Sequence, residues 1–125
     1  MPTLMSPTEQ RINELIKMLV RGTNQNLLKW QVTADEESFR LASPAANVRI
    51  TRSEGYSADV PEGYVSRQLS ILNDKSRVIE ELTPKTSIEA EEFDSLFIDA
   101  RRSAYQTDHV LDKLMNDLRA SGVTS

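Results

Sequence analysis

Two arginines on neighbouring predicted strands are the residues of this sequence best suited to binding chemistry. Arg52 shares strand parity with Val48 and Ile50, so its side chain is expected on the same face as these apolar residues. Arg67 stands in the same relation to the apolar residues of the next predicted strand. Because a buried, unpaired charge is costly, each guanidinium needs an acid, water at the sheet edge or an anionic ligand.

Two interpretations of these arginines remain open. Ion pairs with acids of the carboxyl-terminal helix, or side chains that carry their charge out to water, would make both arginines structural. The alternative is an anion site that Arg52 and Arg67 form together with Tyr56 or Tyr64 from the connecting loop. These four residues are the candidate ligand-binding residues of the chain.

The other residue types form no catalytic or metal-binding pattern. The single histidine, His109, follows Asp108 with no serine or cysteine at a spacing typical of nucleophilic catalysis. The carboxylates between residues 89 and 99 fall on several sides of one predicted helix, and the chain has no cysteine. None of its four glycines belongs to a phosphate-binding loop with the required lysine. We therefore expect no enzyme activity, no metal and no cofactor.

A capping box predicts the first helix. Ser6 precedes a proline at the first helical position, and Glu9 follows three residues after the serine. Apolar residues then recur at helical spacing as far as Gly22, which is a plausible stop. The predicted helix covers about residues 7–21.

Short β-prone runs separated by turn residues occupy residues 28–82. The runs cover residues 29–33, 39–41, 47–52, 64–72 and 77–82. Their close succession predicts an antiparallel meander of four or five strands. The connection over residues 53–63 contains two glycines and Pro61, so it is expected to be an exposed loop and the best candidate for a mobile lid.

One face of the predicted sheet is polar. Ser66, Gln68 and Ser70 share parity on one strand, and Arg49 and Thr51 share parity on its neighbour. Such a face is typical of a solvated antiparallel sheet, and it also suits docking of another chain or contact with a small polar ligand.

The carboxyl-terminal region carries a long apolar ridge. A second capping box, Thr86 with Glu89, begins a helix there. Apolar and small residues then recur at alternating spacings of four and three, which place them on one helix face. This terminal ridge consists of Phe93, Phe97, Ala100, Ala104, Thr107, Leu111, Leu114 and Leu118. We expect it to be buried against the sheet, on either one kinked helix or two helices that separate near Gln106.

Length and composition indicate one α+β domain over residues 1–125, with residues 1–5 and 121–125 flexible. A net charge of −4 argues against nucleic acid as a partner, because binding phosphates requires clustered cations. The lack of cysteine suits a reducing cytoplasm, and no apolar run approaches the roughly 20 residues that cross a membrane. We therefore expect a cytoplasmic protein with no membrane partner.

Several short motifs follow one another through the chain. They are Trp30-x-x-Thr33, Phe39-x-x-Ala42, Val48-Arg49-Ile50, Val78-Ile79 and Ala100-Arg101-Arg102-x-Ala104, the last leading to Asp108. Over residues 27–118 this pattern resembles a scattered group of small, uncharacterised bacterial and mobile-element proteins. The resemblance implies a compact α/β domain without an assigned activity. Proteins of that group often have a glycine before the final aspartate, where this chain has Gln106-Thr107.

Binding is the function that these observations favour. We expect a non-catalytic interaction protein that self-associates through the terminal ridge, the exposed sheet face or both. The alternative is a protein that binds or sequesters a small anionic ligand, such as a nucleotide derivative. That role is compatible with a phage or defence context.

Overall fold

A computed structural model describes residues 6–55, 58–59 and 62–124 and arranges them as one helix, a five-stranded sheet and two further helices. This order confirms the α+β class, the antiparallel meander and the helix pair. None of the described helices combines the length and the apolar character that crossing a membrane requires.

The first helix, α1 (Pro7–Asn24), begins at its capping box. The Ser6 hydroxyl accepts a hydrogen bond from the Glu9 amide at 3.1 Å. The helix continues three residues beyond the predicted end, because Gly22 remains helical. A side chain at Gly22 would overlap Leu28, so this glycine allows the following loop to pack closely rather than ending the helix.

The sheet is a meander in which each strand pairs antiparallel with the next. Its strands are β1 (Gln31–Val32), β2 (Ser38–Ala42), β3 (Asn47–Gly55), β4 (Tyr64–Leu72) and β5 (Val78–Leu82). β1 is shorter than predicted, whereas β3 extends three residues beyond its predicted end because Gly55 still pairs with Tyr64. The first residues of the predicted lid therefore belong to a strand.

Two helices follow the sheet. In α2 (Ser87–Ala104), the Thr86 hydroxyl accepts a hydrogen bond from the Glu89 amide at 3.1 Å, as the second capping box predicts. The chain then turns through Gln106, whose φ of 52° lies in the left-handed region, and α3 (Thr107–Ala120) begins. Of the two alternatives for this region, the helix break is the one observed.

The core lies between α2 and one face of the sheet, with α1 packed against α2. Phe39 and Phe97 meet here with ring centroids 5.5 Å apart. Trp30 is also buried, and its indole N–H donates a hydrogen bond to the Thr23 hydroxyl at 2.9 Å. The buried apolar residues of this cluster are Leu19, Trp30, Phe39, Ile50, Leu69, Phe93, Leu96, Phe97 and Ala100. We call the sheet face beneath α2 the helix face and the opposite side the open face.

The expectation that the whole terminal ridge is buried is wrong for its second half. In α2, Phe93, Phe97 and Ala100 are buried in the core. In α3, by contrast, Leu111, Leu114 and Leu118 are exposed. The reason is the break at Gln106, after which α3 approaches only α2 among the described elements and reaches no strand.

Candidate functional site

Arg52 and Arg67 are brought together, but acids already contact both. They lie directly opposite each other on β3 and β4, on the helix face. Arg52 lies 2.9 Å from a carboxylate oxygen of Glu54 and 3.7 Å from one of Glu37. Arg67 contacts a third carboxylate, that of Asp94, so three carboxylates surround this pair.

That third carboxylate belongs to α2. Arg67 Nε lies 2.9 Å from Asp94 Oδ1, although its N–H is not aligned with that oxygen as a hydrogen bond. The guanidinium also packs over the Phe97 ring, 5.7 Å from the centroid, and the side chain is 18% exposed. Arg67 is thus held at the edge of the core by an ion pair and an aromatic contact.

Tyr64 does not complete an anion site with these arginines. Tyr64 and Arg67 are three residues apart on β4, so their side chains point to opposite faces of the sheet. The Tyr64 ring lies over Gly55, its partner on β3, and a side chain at that glycine would overlap it. Tyr56 lies outside the described residues. Among the described candidates, only the two arginines share a face.

The surface of α3 differs from an ordinary solvated helix surface, because several of its exposed side chains are apolar. None of its residues is buried, and five apolar side chains are each 44–56% exposed. At 100° per residue, these five lie within an arc of about 140° on the helix surface. The set, which we call the α3 stripe, comprises Val110, Leu111, Leu114, Met115 and Leu118. The rest of the helix circumference carries the charged and amide side chains.

A concavity of about 700 Å³ lies between the end of α1 and the α2–α3 junction. Lys29, Asp99, Arg102 and His109 are among its lining residues, and Arg102 lies 3.8 Å from Asp99. His109 is exposed. Across the part of the chain that the structure describes, no three His, Asp or Glu side chains are placed to hold a metal ion. This concavity therefore presents side chains of both charges without a metal-binding cluster among the described residues.

The open face contains a second pair of arginines that the sequence analysis did not identify as a pair. Arg40 on β2 and Arg49 on β3 lie directly opposite each other. Arg49 lines a concavity of about 410 Å³ together with Ser38, Thr51, Gln68, Ser70 and Glu81. The signal that could have revealed the pair is the short β2–β3 connection, because a turn centred between Ala42 and Asn47 fixes this register.

No model of a known protein family matches the chain, and neither a curated protein nor a solved structure is detectably similar to it.

Proposed function

We propose that the protein is a non-catalytic interaction module that forms a homodimer by pairing α3 with the α3 of a second copy. The observation that supports this proposal most strongly is the contrast within the terminal ridge. The same four-and-three spacing continues through both helices, but its side chains are buried in α2 and exposed in α3. An apolar helix stripe of this kind is stabilised when another apolar surface covers it.

The size of the α3 stripe suits a weak dimer. Full burial of a Val, Leu or Met side chain contributes about 1.5–3 kcal/mol, so burying the remaining half of ten such side chains, five from each copy, contributes roughly 8–15 kcal/mol. Association costs about 4–15 kcal/mol in lost translational and rotational freedom. The two terms are comparable, and their difference ranges from no net stabilisation to about 11 kcal/mol, so a micromolar dissociation constant, about 8 kcal/mol, lies within that range.

Charge favours an antiparallel arrangement of the two helices. Asp108 in the first turn of α3 and Arg119 in its last turn lie at the same edge of the α3 stripe, whereas Asp117 lies at the opposite edge. In an antiparallel pair, Asp108 of one copy lies beside Arg119 of the other, and the two helix dipoles oppose each other. A parallel pair would place like charges together at both ends. A second copy of this chain therefore matches the surface in both apolar character and charge.

Light scattering after size-exclusion chromatography tests the proposal directly. We expect an average mass that rises from one chain toward two as the loading concentration increases through the micromolar range. A mass of one chain at every concentration would contradict the proposed dimer.

The orientation of the helices can be tested by disulfide trapping, since the chain contains no native cysteine. A mixture of Asp108→Cys and Arg119→Cys proteins should form the mixed disulfide faster than either protein forms a disulfide with itself. Preferential formation of the two self-linked species would indicate a parallel pair instead.

A further inference from the structure

The open face carries an arginine pair that forms no ion pair with any acid among the described residues. Arg40 and Arg49 are cross-strand partners, and their Cβ atoms are therefore about 5 Å apart. Like charges directly opposite each other destabilise a sheet. The Arg52–Arg67 pair on the helix face has the same cross-strand geometry, but carboxylates contact both of its members.

The two open-face arginines differ in their contacts. Arg40 is exposed and donates a hydrogen bond from Nη2 to the Gln31 side-chain oxygen at 3.1 Å. Arg49 is half-buried, and within the described ranges no residue accepts a hydrogen bond from its side chain or forms an ion pair with it. Arg49 is thus a partly desolvated cation with its hydrogen-bonding capacity unused, beside a second cation.

Neutral hydrogen-bonding groups surround Arg49. Ser70 is its direct partner on β4, and Thr51 and Gln68 follow on the next row of the same face. The Thr51 hydroxyl lies 3.0 Å from that of Ser38, and one of these two hydroxyls donates to the other. All four of these neutral residues line the same concavity as Arg49, so the part of the wall next to this cation carries hydroxyl and amide groups. Its volume of about 410 Å³ falls within the range of sites that bind small molecules.

We propose that this concavity binds a small molecule through one oxyanion, a phosphoryl or carboxylate group, held by Arg49 and attracted also by Arg40. A guanidinium presents paired N–H donors that match such oxygens, and a partly desolvated one binds them more strongly than an exposed one. The anion supplies a negative charge next to the two arginines, since the described carboxylates at this concavity, Asp35 and Glu81, form no ion pair with either of them. This site is independent of the α3 stripe, so the absence of a dimer would leave it unaffected.

Acidic residues at the same concavity define the ligand more closely. Glu81 lies in the same row as Arg49, two strand spacings or about 10 Å away. Asp35 also lines the concavity, with its carboxylate accepting a hydrogen bond from the Glu37 amide at 2.9 Å. These carboxylates oppose an extended polyanion such as a nucleic-acid strand, whose phosphates continue past any one site. The ligand class is therefore a compact molecule with one anionic group and a hydrogen-bond donor toward Glu81.

Nuclear magnetic resonance titration with inorganic phosphate tests the site. Chloride balances the ionic strength, and the reporters are the amide signals of the open face and the arginine Nε–H signals. We expect saturable shifts confined to the open face, and an affinity reduced by roughly tenfold or more in Arg49→Gln, as for loss of a charged hydrogen bond. Arg40→Gln, at an exposed position, should also weaken binding.

The experiment also needs a matched control variant and a variant that is expected to bind phosphate more tightly. Arg11→Gln removes the same charge from the exposed surface of α1 and should leave phosphate affinity unchanged. Glu81→Gln should increase the affinity by about two- to fourfold, as expected for removing a unit charge about 10 Å in water from a phosphate that carries one to two charges. A gain of affinity cannot result from misfolding. The Glu81→Gln result therefore tests the proposal even if Arg49→Gln destabilises the fold.

Three results would overturn the proposal. Shifts that stay linear throughout the titration would mean that no phosphate site exists. Equal weakening in Arg49→Gln and Arg11→Gln would indicate general charge attraction. Binding of a single-stranded oligonucleotide that is tighter than phosphate binding and lost in Arg49→Gln would assign the face to nucleic acid instead.

Discussion

Replacing Leu114 by alanine should weaken the proposed dimer strongly without unfolding α3. Leu114 lies in the middle of the α3 stripe and is 50% exposed. Truncation removes three carbons worth about 0.8 kcal/mol each when fully buried, so half burial in two copies gives a loss of about 2.4 kcal/mol. Since about 1.4 kcal/mol corresponds to tenfold, the dissociation constant should rise roughly 50-fold. Alanine has the highest helix propensity, so α3 itself should remain helical.

Sedimentation equilibrium over a wide range of protein concentrations measures this change, and circular dichroism measures the retained helix content. Ile88→Ala is the matched control because it removes the same number of carbons from an exposed position, 68% exposed, at the far end of α2. Its dissociation constant should equal that of the unmodified protein. The reasoning fails if Leu114→Ala and Ile88→Ala have the same dissociation constant.

Two further predictions concern stability, measured as the free energy of unfolding in urea. Thr23→Val keeps the shape of the side chain but leaves the buried Trp30 N–H without its acceptor, so we expect a loss of about 1–3 kcal/mol; an unchanged stability would show that the indole finds another acceptor. Asp94→Asn removes the acid beside Arg67. Because Asp94 is half exposed, the loss of unfolding free energy should be only about 1–2 kcal/mol, and it should be smaller at high salt. A salt-independent loss would instead mean that Asp94 acts through packing.

Local signals predicted the elements well. Both capping boxes form the hydrogen bonds that Ser6 and Thr86 suggest, and β4 has the bounds that its alternating pattern indicates. Helix and strand starts depend on a few neighbouring residues, so their physical causes are visible in the sequence. The end of α1 was less predictable because the role of Gly22 depends on Leu28, which returns to pack against the helix.

The arrangement of the candidate sites could not be predicted from the spacing of residues in the sequence alone. The four-and-three spacing of the terminal ridge predicts one helix face, but not that a left-handed Gln106 would separate its two halves. The Arg52–Arg67 register spans a long connection, so the sequence indicated a shared face without showing that the two are direct partners. The acid beside Arg67 was among the expected outcomes. Glu37 becomes visible only once the strands are aligned, whereas Glu54 shares strand parity with Arg52 but lies beyond the predicted end of that strand.

The meander order of the sheet has a consequence for how the chain folds. Each strand pairs only with its neighbour in sequence, so every β-pairing closes a comparatively short loop. Hairpins can therefore form one after another as synthesis proceeds, before α2 exists to cover them. During that interval Phe39, Ile50 and Leu69 have no helix above them, and the nascent sheet is most exposed to aggregation until α2 docks.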